Sequence, residues 1–121
     1  MNFLNVFGFG VPPGKNKEFQ AWVRANSAAL AKAMPKGIEF VGIYASIFSS
    51  EKHSGDYKMV WRLDSYGAND RFTEAMGENS ELARLMDEMG KFFDVRLGAD
   101  YSNVLLKSVA DITIWADYPE E

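Results

Sequence analysis

The side chains with the most chemical reach sit in and around one short run. Lys58 and Arg62 stand in the alternating stretch Asp56 to Leu63. Two cations on one strand can clamp a carboxylate or polarise a carbonyl if they face an enclosed space. The same pair can equally be solvated, or paired across strands with Glu39. His53, the one histidine, lies in the polar loop Ser49 to Gly55 among Glu51, Lys52 and Ser54. An imidazole there can serve as a general base or as an axial ligand to an iron porphyrin, or stay a solvated loop residue. Tyr44, Tyr57 and Tyr101 can donate hydrogen bonds inside a pocket, or fill an interface with their rings buried and their hydroxyls near water.

Other chemistry is closed off. The chain has no cysteine, which removes disulfides, thiolate zinc sites and cysteine nucleophiles. A single histidine cannot build a two- or three-histidine metal site within one chain, and no Asp-x-Asp-x-Asp-Gly loop is present, so no metal is expected. Gly8-Phe9-Gly10-Val11-Pro12-Pro13-Gly14 invites a dinucleotide-binding reading, but Pro13 occupies the third glycine position. It reads as a stiff turn between a strand and a helix.

The chain has 121 residues, enough for one domain with its own core. Seventeen acidic against thirteen basic side chains give a net charge of −4. Without a cationic cluster, that balance argues against a phosphate backbone as partner, so no nucleic acid is expected. No apolar run approaches a membrane span, and the stretch Phe3 to Val11 lacks the charged start and the length of a signal peptide. A cytoplasmic protein without membrane contact is the expectation.

The elements that must position these groups follow from hydrophobic period. Phe3 to Phe9 is a short aromatic strand. Phe19, Trp22, Val23, Leu30 and Met34 form one helical stripe within Lys15 to Met34, with Asn16 as the expected N-cap and Pro35-Lys36-Gly37 as the stop. Ile38 to Phe48 and Asp56 to Leu63 read as two strands joined by a hairpin loop. A helical region follows, interrupted near Gly77, with Asn79 or Ser80 capping a second piece striped by Leu82, Leu85, Met86, Met89 and Phe93. Tyr101 to Val109 is the last strand. The order β-α-β-β-α-β predicts a ferredoxin-like α+β domain over residues 1–109, with a four-stranded antiparallel sheet and its helices on one face. The apolar tail 110–121 is expected to dock on the domain or on a partner.

Two helices cannot cover both faces of this sheet. Phe3, Phe7 and Phe9 alternate with Leu4 and Val6, and the second and last strands are apolar on both sides as well. Whichever parity is left open forms a greasy surface larger than monomers usually tolerate, and a second copy of the chain is the simplest cover. Asn5, Tyr44, Arg62 or Trp61, Asn103 and Lys107 interrupt it with polar groups, which suits a partly hollow interface with room for a small ligand.

Three segments carry a resemblance. They are Met34-Pro35-Lys36-Gly37 leading into Ile38-Glu39-Phe40-Val41-Gly42-Ile43-Tyr44, then Trp61-Arg62-Leu63-Asp64-Ser65-Tyr66, then Asn79 to Met86 ending at Phe92-Phe93-Asp94. The pattern resembles the dimeric α/β-barrel superfamily, from Phe3 to about Val109. The resemblance implies a homodimer whose sheets face each other. It implies no single reaction, since the superfamily spans monooxygenases, haem-degrading enzymes, dehalogenase-like and dye-decolourising relatives. Asn5 and Trp61 are similar to an Asn and a Trp of its haem-degrading, antibiotic-biosynthesis-type monooxygenases. Those enzymes ligate iron through a histidine in the second helical region, and Tyr66 to Phe93 contains none.

The expected function is therefore small-molecule binding between the two sheets of a homodimer, with no cofactor. The expected chemistry is cofactor-independent oxygenation or isomerisation of an apolar aromatic compound. The expected catalytic residues are Asn5, Trp61, Arg62 and His53, with Tyr44 and Lys58 binding the ligand. The competing expectation is a non-catalytic interaction protein whose open sheet serves only assembly.

Overall fold

A computed structural model describes residues 2–52, 55–96 and 99–109 of the chain. Seven elements run in the order β1 (Phe3–Phe9), α1 (Asn16–Ala33), β2 (Ile38–Ala45), β3 (Tyr57–Leu63), α2 (Asn69–Gly77), α3 (Glu81–Gly90) and β4 (Tyr101–Lys107), with one 3₁₀ turn at Tyr66–Ala68. The strands form one antiparallel sheet in the order β2-β3-β1-β4. This is the ferredoxin-like α+β arrangement that the sequence pattern predicts.

Strand parity decides everything about the site. Residues opposite one another across β1, β3 and β4 share a face: Phe3 with Leu63 and Lys107, Asn5 with Trp61 and Leu105, Phe7 with Met59 and Asn103, Phe9 with Tyr57 and Tyr101. The buried core contains Phe3, Phe9, Tyr57, Met59, Trp61 and Leu63 from this face, together with Phe19 and Leu30 of α1 and Leu82, Leu85 and Met89 of α3. The aromatic parity of β1 therefore lies under the helices. Phe9 packs its ring 4.4 Å from Phe93, and Phe19 meets Tyr57 edge-on at 4.8 Å. Trp22 donates its indole N–H to Glu88 at 3.0 Å, tying α1 to α3.

The opposite parity, Leu4, Val6, Val60, Val104 and Leu106, makes up the uncovered face. That face is aliphatic, which settles the parity the sequence left open: branched and aromatic residues are equally apolar in the sequence, and only register separates them.

Boundaries differ in informative ways. β2 stops at Ala45 rather than Phe48, and Ile47 stands 98% exposed in the loop beyond. A bulge between Phe40 and Gly42 shifts register in β2, so Phe40 and Ile43 both share the helix-side face while Tyr44 opposes Lys58 on the other. Asn16 begins α1 rather than capping it, and its side-chain Oδ1 instead accepts the Tyr57 hydroxyl at 2.7 Å. The break between α2 and α3 is closed by Ser80, whose hydroxyl accepts the Ala83 N–H at 3.1 Å and donates to the Ala75 carbonyl at 2.7 Å. The expected docking segment 110–121 and His53 lie outside the described residues.

Gly55, at the entry to β3, has φ +88° and lies against β1: a Cβ there would sit 2.5 Å from the Phe9 nitrogen. Both the left-handed backbone and the close approach demand glycine. Gly55→Ala is expected to lower unfolding free energy by about 2–4 kcal/mol. Urea melts read it, and an unchanged midpoint would contradict the packing.

Candidate functional site

Between the sheet and the α2–α3 pair lies a half-open pocket of about 370 Å³ lined by Asn5, Phe7, Trp61, Asn69, Phe72, Thr73, Met76, Met86 and Asn103. β1 and β3 bring Asn5 and Trp61 side by side as cross-strand partners. Trp61 lies parallel to Phe72 of α2, with ring centroids 5.0 Å apart and planes 6° from coplanar. Most of the wall is thus ring and thioether, and the polar part is a chain of amides beside Thr73.

That chain is continuous. The Trp61 indole N–H donates to Asn69 Oδ1 at 3.0 Å. Asn69 Nδ2 donates to Asn5 Oδ1 at 3.2 Å, and Asn5 Nδ2 donates to Asn103 Oδ1 at 2.7 Å. Asn5 is 0% exposed, so its amide depends wholly on these partners for the bonds water would have given. No buried side-chain nitrogen or oxygen among the described residues lacks a partner.

The remaining expected site residues go elsewhere. Arg62 follows Trp61 in a strand and so points to the opposite face, where it pairs with Glu39 at 3.4 Å in an exposed cross-strand contact. Lys58 and Tyr44 oppose each other on that same face, with Tyr44 half-exposed. Within one protomer, Asn5 and Trp61 therefore occupy one side of the sheet and Arg62, Lys58 and Tyr44 the other. The expected location of all of them in one sheet-to-sheet cavity is corrected by this alternation.

Asn69, Phe72, Thr73 and Asn103 complete the pocket and were not among the expected site residues. Asn103 carried a signal, as a polar residue inside an apolar strand. Asn69 carried none, because it joins the others only through the fold. Met76 and Met86 also line the pocket, Met86 while packing against the core.

A larger concavity of about 470 Å³ at the far end of β1 is lined by polar loops, including Asp56, Asp94, Arg96 and Asp100. Asp94 holds that corner together. Its N–H donates to the Gly10 carbonyl at 2.8 Å, its own carbonyl accepts the Tyr101 hydroxyl at 2.7 Å, and Arg96 binds its carboxylate through two nitrogens. The side-chain bonds from Arg96, followed by the Arg96 backbone N–H, hold the Asp94 carboxyl below the usual aspartate range. This corner is a clasp between the segment after α3 and the sheet, held by the Asp94–Arg96 ion pair.

No protein-family model and no curated protein matches the chain. Solved structures do share its fold. A NIPSNAP family protein from Agrobacterium tumefaciens superposes with a TM-score of 0.64 at 11% identity, over 93% of this chain and 90% of that one. A protein provisionally described as an antibiotic biosynthesis monooxygenase, from Nitrosomonas europaea, gives 0.59 at 10% identity over 88% and 98%. The heme-degrader MhuD from Mycobacterium tuberculosis, solved with two hemes bound in its active site, gives 0.51 at 13% identity over 88% and 95%. These likenesses establish the fold, the same one that the resemblance to the dimeric α/β-barrel superfamily implies.

Because the folded-state pKa of Asp94 is depressed, its contribution to stability is full above the unfolded value near 3.8 and fades as pH falls through the lower folded value. Asp94→Asn is expected to be less stable than the parent at pH 6, with the gap narrowing between pH 4 and pH 2. Denaturant midpoints across that range test the sign, and a gap that widens in acid would refute it.

Proposed function

We propose that this chain binds a flat, largely apolar small molecule in the pocket beside Asn5 and Trp61, as one half of a homodimer, and acts on it as a cofactor-independent oxygenase. The observation that carries this is the fully buried Asn5 amide in a pocket whose remaining walls are mostly rings and thioethers. A protein built only for assembly gains nothing from placing an amide chain under its helices, where each polar group must be matched. The neighbours' descriptions support the reading: one names a monooxygenase and another a heme-degrader.

Haem does not fit this pocket as a histidine-ligated group. The described walls offer three carboxamides, the Thr73 hydroxyl and the thioethers of Met76 and Met86, with no imidazole, thiolate or phenol. Isomerisation by side-chain proton transfer is also poorly served, since the same walls hold no carboxylate or ammonium. Oxygenation without a cofactor asks less of the protein. An activated C–H carbon of the substrate loses its proton to water, dioxygen adds at that carbon, and loss of water from the hydroperoxide leaves a carbonyl. The substrate supplies the electrons and dioxygen accepts them. Amide N–H groups stabilise the substrate oxyanion formed on deprotonation.

The second copy covers the aliphatic face. Leu4, Val6, Val60, Val104 and Leu106 supply its centre, and the Arg62–Glu39 pair adds polar groups to the same face. A centre of aliphatic groups edged by charge is the composition of a protein interface.

Titration with 2-tetralone, an aryl ketone with an acidic benzylic carbon, tests both parts. The Trp61 indole N–H resonance, assigned through Trp61→Phe, is expected to shift on binding, and Thr73→Trp, which fills the pocket, to weaken affinity at least about tenfold. Oxygen uptake should exceed the protein-free rate. Absence of any shift would overturn the pocket as a binding site, and uptake equal to the protein-free rate would overturn the oxygenase.

A further inference from the structure

Resting on the pocket assigned above, we infer that Trp61 sets the direction of the whole amide chain, and that this direction makes the pocket select ligands presenting a neutral hydrogen-bond acceptor, such as a ketone carbonyl. Carboxamides are ambiguous on their own, because oxygen and nitrogen can exchange places by a flip. An indole nitrogen is not ambiguous: it only donates. Trp61 therefore demands the oxygen of Asn69, at 3.0 Å. Asn69 must then turn its nitrogen to Asn5, which must answer with oxygen, at 3.2 Å. Asn5 turns its nitrogen to Asn103, which must answer with oxygen in its turn, at 2.7 Å. One donor at one end thus orients three amides.

The free end of the chain is the Asn103 Nδ2, which takes no partner among the described residues. Asn103 lines the pocket and is exposed on β4, so its two N–H bonds are available to a ligand. The pocket thereby offers donors at its open end. It offers them without a countercharge, since Asn5, Asn69, Asn103, Thr73 and Trp61 are its polar lining and all are neutral. A carbonyl oxygen meets those donors at little desolvation cost. A carboxylate loses far more hydration than neutral amides return. A hydroxyl spends its proton poorly against N–H groups.

The test compares four probes with one ring system: naphthalene, 2-acetylnaphthalene, 2-naphthol and 2-naphthoate, by calorimetry at pH 8. The ketone is expected to bind about tenfold more tightly than naphthalene or naphthoate, the difference one matched hydrogen bond makes. Asn69→Asp supplies the sharper readout. A carboxylate there accepts from both Trp61 and Asn5, so Asn5 reverses, Asn103 reverses after it, and the free end becomes an oxygen. That variant should prefer 2-naphthol over the ketone. Asn69 is only half-buried, which lets the charge be tolerated, and circular dichroism verifies the fold. Trp61→Phe removes the anchor, so the ratio of ketone to naphthalene affinity should fall towards one, whatever the change in affinity for the bare ring. If all four probes bind the parent equally, the inference about direction fails while the pocket stands. If no probe binds, the pocket assignment fails and takes this inference with it. An Asn69→Asp protein that still favours the ketone would overturn the proposed direction outright.

Discussion

The burial of one amide governs the rest of this structure. Asn5 stands in the middle of β1, on the parity that faces the helices, among Phe3, Phe7 and Phe9. An uncompensated amide in such a layer would cost several kcal/mol, a large share of a small domain's stability. Two long-range partners compensate it, one from α2 and one from β4. Asn5 couples the position of α2 to the register of β4, and Asn69 extends that coupling to the rotamer of Trp61. The same amides line the space between α2, α3 and the sheet, so the group that must be matched is also the one a ligand there would meet.

Much of the architecture was legible from local chemistry. The stripe Phe19, Trp22, Val23, Leu30 announces α1, Pro35 and Gly37 stop it, and Ser80 marks the start of α3 by the bond it then makes to the Ala83 N–H. Strand parity was not legible. Leu4 and Val6 are as apolar as Phe3 and Phe7, and period-two alternation has no contrast when both sets are greasy. The bulge in β2 compounds this, since an extra residue at Phe40/Gly42 reverses the parity of everything after it.

The site was half legible, and the division has a physical reason. Asn5 and Trp61 came from resemblance, and the fold brings them together as register partners. Arg62 beside Trp61 could have been separated from it on strand geometry alone, because adjacent residues of a strand point to opposite faces. Its cross-strand contact with Glu39 is the ordinary alternative that the sequence already offered. Asn69 lies eight residues beyond Trp61 and 64 beyond Asn5, and no local pattern could reveal that it bonds to both.

The two borders of the sheet are not equivalent. β2 carries its irregularity at Phe40/Gly42, which disrupts the ladder of main-chain groups that an incoming strand would copy, whereas β4 pairs with β1 in unbroken register from Tyr101 to Lys107. A strand arriving at this sheet meets a disrupted ladder along β2 and an even one along β4, so the two borders differ in how well they template main-chain pairing.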